Sequence, residues 1–409
     1  MPTISVEQNL IAKLLAQHKL DHDVEQIADE LPLLGTDIDR CDAQTLDIEI
    51  FPNRPDLLSG ETLTRAIRNF VHRQPAKPSI TTTEGKITLN VEPDLAEIRP
   101  VILGAVVRNV DYTSIGVSAD EFIKSLMDHQ EKLHFALGRG RKRASIGVHD
   151  LAKLAPPFTV KAVSGDTKFT PLAATEPMSI KEIMAEHPKG IEYAHLLSEF
   201  DRYPIILDAE NNVLSFPPII NGDHTTVTKE TKDFFIDVTG WDIRACESSL
   251  MLIALQLQEY GGIIETVEVT NCFGATNVYP NGSAVEHKLT IAAIQGLLGG
   301  KLTEEAISEA INRMGGKLVA CDDELITLEM PRWRFDILHP VDLVEDIAIG
   351  HGYEDLGHDI PRSPMTAKPR SDANLLRRVG NSMQGLGMMQ IQSLTLSNDD
   401  DPVSYTHLT

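Results

Sequence analysis

Asp336, Asp342, Glu345 and Asp346 crowd into the stretch 331–353, which reads PRWRFDILHPVDLVEDIAIGHGY. Carboxylates at that density repel one another unless a cation sits among them. Hard oxygen ligands suit Mg²⁺, which keeps several waters and takes only part of its shell from protein. Two other readings stand beside a metal. The acids could mark a solvated helix N-terminus, where the macrodipole favours negative charge, or they could meet the arginines of a partner.

The elements around them follow from spacing. Residues 325–330 alternate as a strand that runs into Pro331, and 333–337 read as a second extended piece. Pro340 then opens a helix, because a missing N–H costs nothing at the first helical position. The helix runs to about Gly350. Leu343, Val344 and Ile347 form its apolar face. Asp342, Glu345 and Asp346 stand at i, i+3 and i+4 and share another face, onto which Asp336 folds back.

The string RFDILHPVDLVED followed by GHGY resembles the β subunit of phenylalanyl-tRNA synthetases, of the archaeal and eukaryotic type. The resemblance implies that Asp336, Asp342, Glu345 and Asp346 bind a Mg²⁺ shared with an α subunit. His351 stands where that family usually has an aromatic. A second string of the family, NRPD after a strand, lies at 53–56. Read alone, it is a tight proline-bracketed turn, with Asp56 capping a helix over 57–71. Two strings so far apart, in the family's order, carry the resemblance to nearly the whole chain, residues 1–400.

Between them lie EKLH, IGVHD, FPPIIN and IDVTG, which resemble the family's editing domain. The resemblance places Ser215, Asp237 and Thr239 around an amino-acid pocket. It places His134, Arg139, Arg141 and Arg143 near the tRNA end. By residue type alone, DVTG at the end of strand 234–238 is a strand terminus with a turn, or a pocket mouth. Arg139 to Arg143 is the densest basic run, either a solvated loop or a landing place for phosphates. His149 and Asp150 invite a dyad reading, but neighbours on a strand point to opposite faces.

Composition bounds the rest. The chain of 409 residues exceeds one core, so several domains are expected. A net charge of −23 argues against non-specific nucleic-acid binding. The four cysteines are scattered, with no C-x-x-C pair, which fits a reducing cytoplasm. Neither a signal peptide nor a membrane span is expected. GLLGGKLT at 296–303 fails as a phosphate loop because Gln295 and Leu302 stand at key positions.

The remaining pattern predicts an α+β, multidomain chain. An N-terminal α/β segment spans 1–78. A capping box at Ser5–Gln8 opens its first helix, a second helix covers 21–34, and a strand covers 45–51. A mixed-sheet editing and tRNA-binding domain spans 86–270. A small helix-rich, winged-helix-like domain follows at 279–357, with helices within 285–298 and from Thr303 to Met314. After a linker at 361–369 comes a helix over 375–386 and a strand from 388. In the family these begin a class II synthetase-like antiparallel-sheet domain, here 370–409. The ending VSYTHLT departs from the family pattern, as a truncated end would.

The resemblance implies an α2β2 phenylalanine–tRNA ligase, with ATP and phenylalanine handled on the α subunit and Mg²⁺ shared. This chain's own chemistry would be hydrolysis of mischarged Tyr-tRNA(Phe) in the cytoplasm. A tRNA-binding scaffold and a free-standing editing hydrolase are the alternatives.

Overall fold

The computed structural model describes residues 2–322, 324–357, 367–392 and 395, which fall into two units, 1–357 and 358–409. The first unit opens with β1 (Thr3–Glu7), α1 (Gln8–Ala16), α2 (Val24–Glu30), β2 (Thr36–Cys41), β3 (Thr45–Ile50) and α3 (Gly60–Phe70). The strands form a sheet in the order β1-β3-β2. The expected capping box at Ser5 is instead this first strand. Ile4 and Val6 alternate into the core, and Ser5 pairs across to Asp47 on β3. Period-two burial overrode a local helix signal. The expected second helix is shorter: Asp23 caps α2, and 31–34 tighten into a 3₁₀ turn. β2 had no counterpart in the sequence reading.

Ser59, not Asp56, caps α3, its hydroxyl accepting from Thr62 N at 3.1 Å. Asp56 turns back on Arg54, which donates to its two oxygens at 2.9 and 2.8 Å in a buried pair.

The central sheet has ten strands. This part of the chain runs through β4 (Thr88–Val91), β5 (Val101–Arg108), α4 (Ala119–Ala136), β6 (Ala144–Asp150), β7 (Phe158–Ser164), β8 (Lys168–Phe169), β9 (Met178–Ser179), α5 (Ile180–Glu186) and α6 (Pro188–Tyr193), of which β8 and β9 pair only with each other, outside the central sheet. The chain continues as β10 (Arg202–Leu207), β11 (Val213–Phe216), β12 (Ile220–Asn221), β13 (Phe234–Gly240), α7 (Ile243–Gln258), β14 (Ile263–Thr270) and β15 (Thr276–Tyr279). The order is β12-β11-β10-β7-β4-β14-β5-β13-β6, with β15 on β14. Alternate residues feed two cores. Leu103, Ala105, Phe234, Ile236 and Val238 pack under α4 and α7. Ile102, Val106 and Phe235 pack with Phe158, Val160 and Phe216 on the other side.

The outer edge of β6 is closed by α4. Gln130 donates to Ile146 O at 2.7 Å, and His134 Nε2 accepts from Ile146 N at 2.8 Å. Side chains one helical turn apart thus satisfy a peptide that an edge strand would leave open.

A third group comprises β16 (Val285–Thr290), α8 (Ile291–Leu298), α9 (Glu304–Arg313), β17 (Lys317–Cys321), β18 (Leu325–Met330) and α10 (Pro340–His351). The helix expected within 285–298 starts only at Ile291, because 285–290 pair with β18 as a strand. Thr303 caps α9 as expected, and Gly315 stops it at φ +87°. The second extended piece expected at 333–337 is a run of turns. Arg313 ties this group to the first by donating to Phe70 O at 3.1 Å and Gly350 O at 2.9 Å.

The second unit contributes α11 (Ala373–Gly385), whose Leu375, Leu376, Val379 and Met383 are exposed. The linker expected before it lies largely outside the described residues; of the strand expected from 388, residues 388–392 are described and form no strand. Among the described residues no helix is long and apolar enough to cross a membrane.

Burial lowers the imidazole pKa of both His129 and His134 below the ordinary 6.5. Each stays neutral in the fold while the unfolded chain protonates at its ordinary pKa. Stability is therefore complete above 6.5 and is lost as pH falls below it. Melting temperature is expected to drop between pH 7.5 and pH 5.5; a flat profile would mean that these rings open to water.

Candidate functional site

Two places gather the residues singled out by sequence. The first is one face of β6 and β13. Their antiparallel register sets Asp237 opposite Gly147, Thr239 opposite Ser145 and Phe235 opposite His149. On the other side of β13, Asp237 faces Gly104 of β5. Period two puts Asp237 and Thr239 on the same face.

Asp237 Oδ2 lies 2.6 Å from His149 Nε2, and His149 Nδ1 lies 2.8 Å from Thr225 Oγ1. Thr225 in turn donates to Gly222 O at 3.0 Å, so both ring nitrogens of His149 face acceptors. Gly147 is required beneath this bridge. A Cβ there would sit 2.0 Å from Asp237 Oδ2 and 2.8 Å from His149 Nε2. Gly147→Ala is expected to break the pair and destabilise the fold by about 2 kcal/mol; an unchanged melting temperature would show that the bridge can move aside.

Arg99 braces Thr239. It donates to Thr239 Oγ1 at 2.7 Å, Thr239 O at 2.7 Å, Ser145 Oγ at 3.0 Å and Arg141 O at 3.0 Å. Burial lowers its guanidinium to about 10, which still leaves it charged at neutral pH. A buried positive charge therefore stands behind Thr239 with no carboxylate in salt-bridge contact among the described residues.

Thr239 and Gly240 lie inside β13, fully buried, rather than at a pocket mouth. Ser215, also buried, sits on β11 and donates to Asn221 Oδ1 at 3.2 Å. It belongs to the hairpin that carries Gly222 and Thr225, and so is joined to Asp237 through His149. The His149–Thr225 bond crosses from β6 to the turn that follows β12, and β6 and β12 are the two ends of the strand order. Arg141 crosses the same seam, donating to Pro218 O at 3.2 Å and Ile219 O at 2.9 Å. It also pairs with Glu131 at 2.7 Å and lies over the Tyr193 ring at 4.3 Å.

The basic run therefore divides. Arg141 is buried and engaged within the protein, and Arg143 pairs with Asp242. Arg139 and Lys142 are exposed. Residues 139–141 all have positive φ, at 47°, 64° and 67°. For the two arginines this conformation costs about 1 kcal/mol or more each, and the bonds of Arg141 hold it. His134 is 3% exposed and serves the β6 edge. Cys246, beside Gly240, has its thiol pushed up to about 12 by burial, which removes thiolate chemistry here.

The second place is a cavity of about 770 Å³ lined by Asp336, Asp342, Glu345 and Asp346 together with Asn53 and Arg54. The two strings that lie far apart in sequence meet in it. Seven carboxylates line it against three arginines. Arg334 supplies a cation from behind. It donates to Asp336 at 2.8 and 2.6 Å and to Asp346 at 2.8 and 2.9 Å, with Met314 O at 3.1 Å. One guanidinium thus serves two carboxylates. Burial raises the carboxyl of Asp346, and the charge of Asp336 adds to it. Burial acts upward on Asp336 as well, but Arg334 outweighs it and holds that carboxyl low. Asp342 Oδ2 accepts from Leu338 N and His339 N, both at 2.7 Å. Glu345 is exposed and has no partner among the described residues.

This arrangement does not by itself fit Mg²⁺. Among the described residues no three His, Cys, Asp or Glu side chains are close enough to share an ion. Every oxygen of Asp336 and Asp346 already accepts from Arg334.

The sequence reading missed Arg99, Ser145, His149 and Thr225 as neighbours of Asp237 and Thr239. The usable sign was that IGVHD and IDVTG are both short polar-tipped strands, so that pairing them aligns Gly147 with Asp237.

Two family models match the chain: a B3/4 domain over 103–256 and a tRNA synthetase B5 domain over 287–353. The phenylalanine–tRNA ligase beta subunit of Methanosarcina acetivorans is 42% identical over 399 residues, covering 98% of this chain and 71% of the relative. That of Archaeoglobus fulgidus is 36% identical over 401 residues, covering 98% and 70%. An N-terminal fragment of the phenylalanyl-tRNA synthetase beta subunit from Pyrococcus horikoshii matches with a TM-score of 0.78 and 30% identity, over 86% of this chain and 100% of the fragment. Its coverage and identity to these relatives show that the chain belongs to the phenylalanine–tRNA ligase beta subunit family.

Proposed function

We propose that this ligase subunit hydrolyses Tyr-tRNA(Phe) at the β6–β13 face, while an α subunit charges tRNA(Phe) with phenylalanine at the cost of ATP. The observation that carries the reading is the buried Asp237–His149–Thr225 chain beside Thr239 and Ser145, all inside the segment that matches the B3/4 domain, with Arg99 bracing them from just before it. Tyrosine is phenylalanine plus one hydroxyl, and an apolar pocket rejects that addition by only on the order of 10²-fold. A second pocket that bonds the hydroxyl reverses the preference. Asp237 accepts the phenolic O–H. A phenylalanine ring would leave a buried carboxylate short of a partner, at about 1–3 kcal/mol.

Entry is through the seam. The side chains of Asp237 and His149 are 2% and 0% exposed, so the substrate must part the two sheet edges. Among the described residues no backbone hydrogen bond joins β6 to β12. Water adds to the ester carbonyl, the bond to the ribose oxygen breaks, and that oxygen takes the proton, with the tRNA's own hydroxyls assisting. The fixed charge of Arg99 holds Thr239 in place for the aminoacyl end. Thr239→Val is a poor test, since it strands Arg99 Nε. Thr239→Ser keeps the hydroxyl and is expected to retain activity, which release of labelled tyrosine from Tyr-tRNA(Phe) measures. Absence of any release by the wild-type assembly would reduce the subunit to a tRNA-holding scaffold.

The acidic cavity is the surface offered to the α subunit. Glu345 and the spare oxygen of Asp342 meet a cation there, either a basic side chain or a Mg²⁺ completed by the partner. Glu345→Gln is expected to weaken co-assembly about tenfold with no change in melting temperature. Unaltered affinity would remove Glu345 from the contact, and sensitivity to chelator separates metal from side chain.

A further inference from the structure

A second cavity, of about 430 Å³, lies where α3, α7 and the segment 313–334 meet, and its lining is basic in a chain of net charge −23. Arg54, Arg65, Arg68, Lys77, Arg313 and Arg334 line it against Asp56 and Glu259 alone. The pairs within it leave charge over. Arg54 is matched by Asp56. Arg334 has Asp336 and Asp346, and Arg313 has Glu30 at 3.4 Å. Arg65 and Arg68 both converge on Glu259, at 3.0 Å and 2.7 Å. One carboxylate thus answers two guanidinium groups, and Lys77 has no carboxylate partner among the described residues. Arg54 Nη1 is buried with no hydrogen-bond partner.

We propose that this cavity binds a small phosphate-bearing anion, held by Arg65, Arg68 and Lys77. Arg65, Arg68 and Lys77 against Glu259 leave an excess of two positive charges at that end of the cavity, which matches a phosphate or diphosphate dianion, and guanidinium pairs are built for bidentate phosphate recognition. His18 supports the placement. Its Nε2 lies 2.6 Å from Arg68 Nη1, so the ring is neutral and accepts. Burial first, and then Arg68, hold its pKa below 6.5. Because the lining comes from all three groups of the first unit, a bound anion would clamp them together. The proposal is independent of the editing reading.

The test uses the whole chain with inorganic phosphate and diphosphate as probes, followed by calorimetry and thermal unfolding at constant ionic strength in chloride. Saturable heat and a rising melting temperature are expected. Lys77 is exposed and Arg65 half-buried, so Lys77→Ala and Arg65→Gln should fold normally; each is expected to raise Kd about tenfold, as loss of one charged hydrogen bond does. Bound diphosphate is also expected to raise the pKa of His18, read from its labelled imidazole. A response no larger than that to chloride, an unchanged Kd in both variants, or an unmoved His18 would each overturn the proposal.

Discussion

Replacing Arg334 with Leu is expected to cost about 3–5 kcal/mol of stability, enough to unfold the third group at physiological temperature. Its guanidinium is 2% exposed, and Asp336 and Asp346 are 11% and 4% exposed. Removing the cation leaves two buried carboxylates facing each other, each of which must protonate or admit water. The opposite change should be mild. Asp346 already has its carboxyl pushed up by burial and by the charge of Asp336. A carboxyl whose pKa is raised in the fold costs stability once pH rises above its unfolded value. Asp346→Asn removes that cost and still accepts from Arg334, so it is expected to lie within about 1 kcal/mol of the parent. Chemical denaturation at pH 7 decides both. A loss below about 1 kcal/mol for Arg334→Leu would show that water reaches the pair. Tests of partner binding through the acids should therefore use Glu345, whose charge the fold does not need.

The second large effect concerns Asp237. Asp237→Asn keeps the size of the side chain and an acceptor for His149, so the fold should hold. The amide lacks the charge that draws a phenolic O–H, and clearance of Tyr-tRNA(Phe) is expected to fall by about 10²-fold or more. Charging of tRNA(Phe) with phenylalanine by the assembled ligase should be unchanged. Equal clearance by variant and parent would move the hydroxyl-reading role elsewhere.

Much of this was legible where the evidence is local and periodic. Asp342, Glu345 and Asp346 follow from helical spacing in VDLVED, whereas Asp336, Asp237 and Thr239 were singled out through the family resemblance of the strings that carry them. The misses lie where an answer depends on a neighbour far away in sequence. His149 was weighed against Asp150 beside it, whereas its partner is Asp237 on the adjacent strand. Arg99 sits after a short 3₁₀ turn in a loop with no periodicity, and only the fold brings it under Thr239. Ser5 carries a fair helix-start string, yet Ile4 and Val6 have a strand to pair with. Arg334 was not singled out in the sequence, because nothing local shows which acids it meets. Its position inside the acidic cluster determines which carboxylates remain free.

The most direct measurement is the ratio of amino-acid release from tRNA(Phe) carrying tyrosine and from the same tRNA carrying phenylalanine, with this subunit assembled with its α partner. The account predicts tyrosine release faster by about 10²-fold or more, abolished in Asp237→Asn. Equal release of the two amino acids, or undiminished release in that variant, would contradict it.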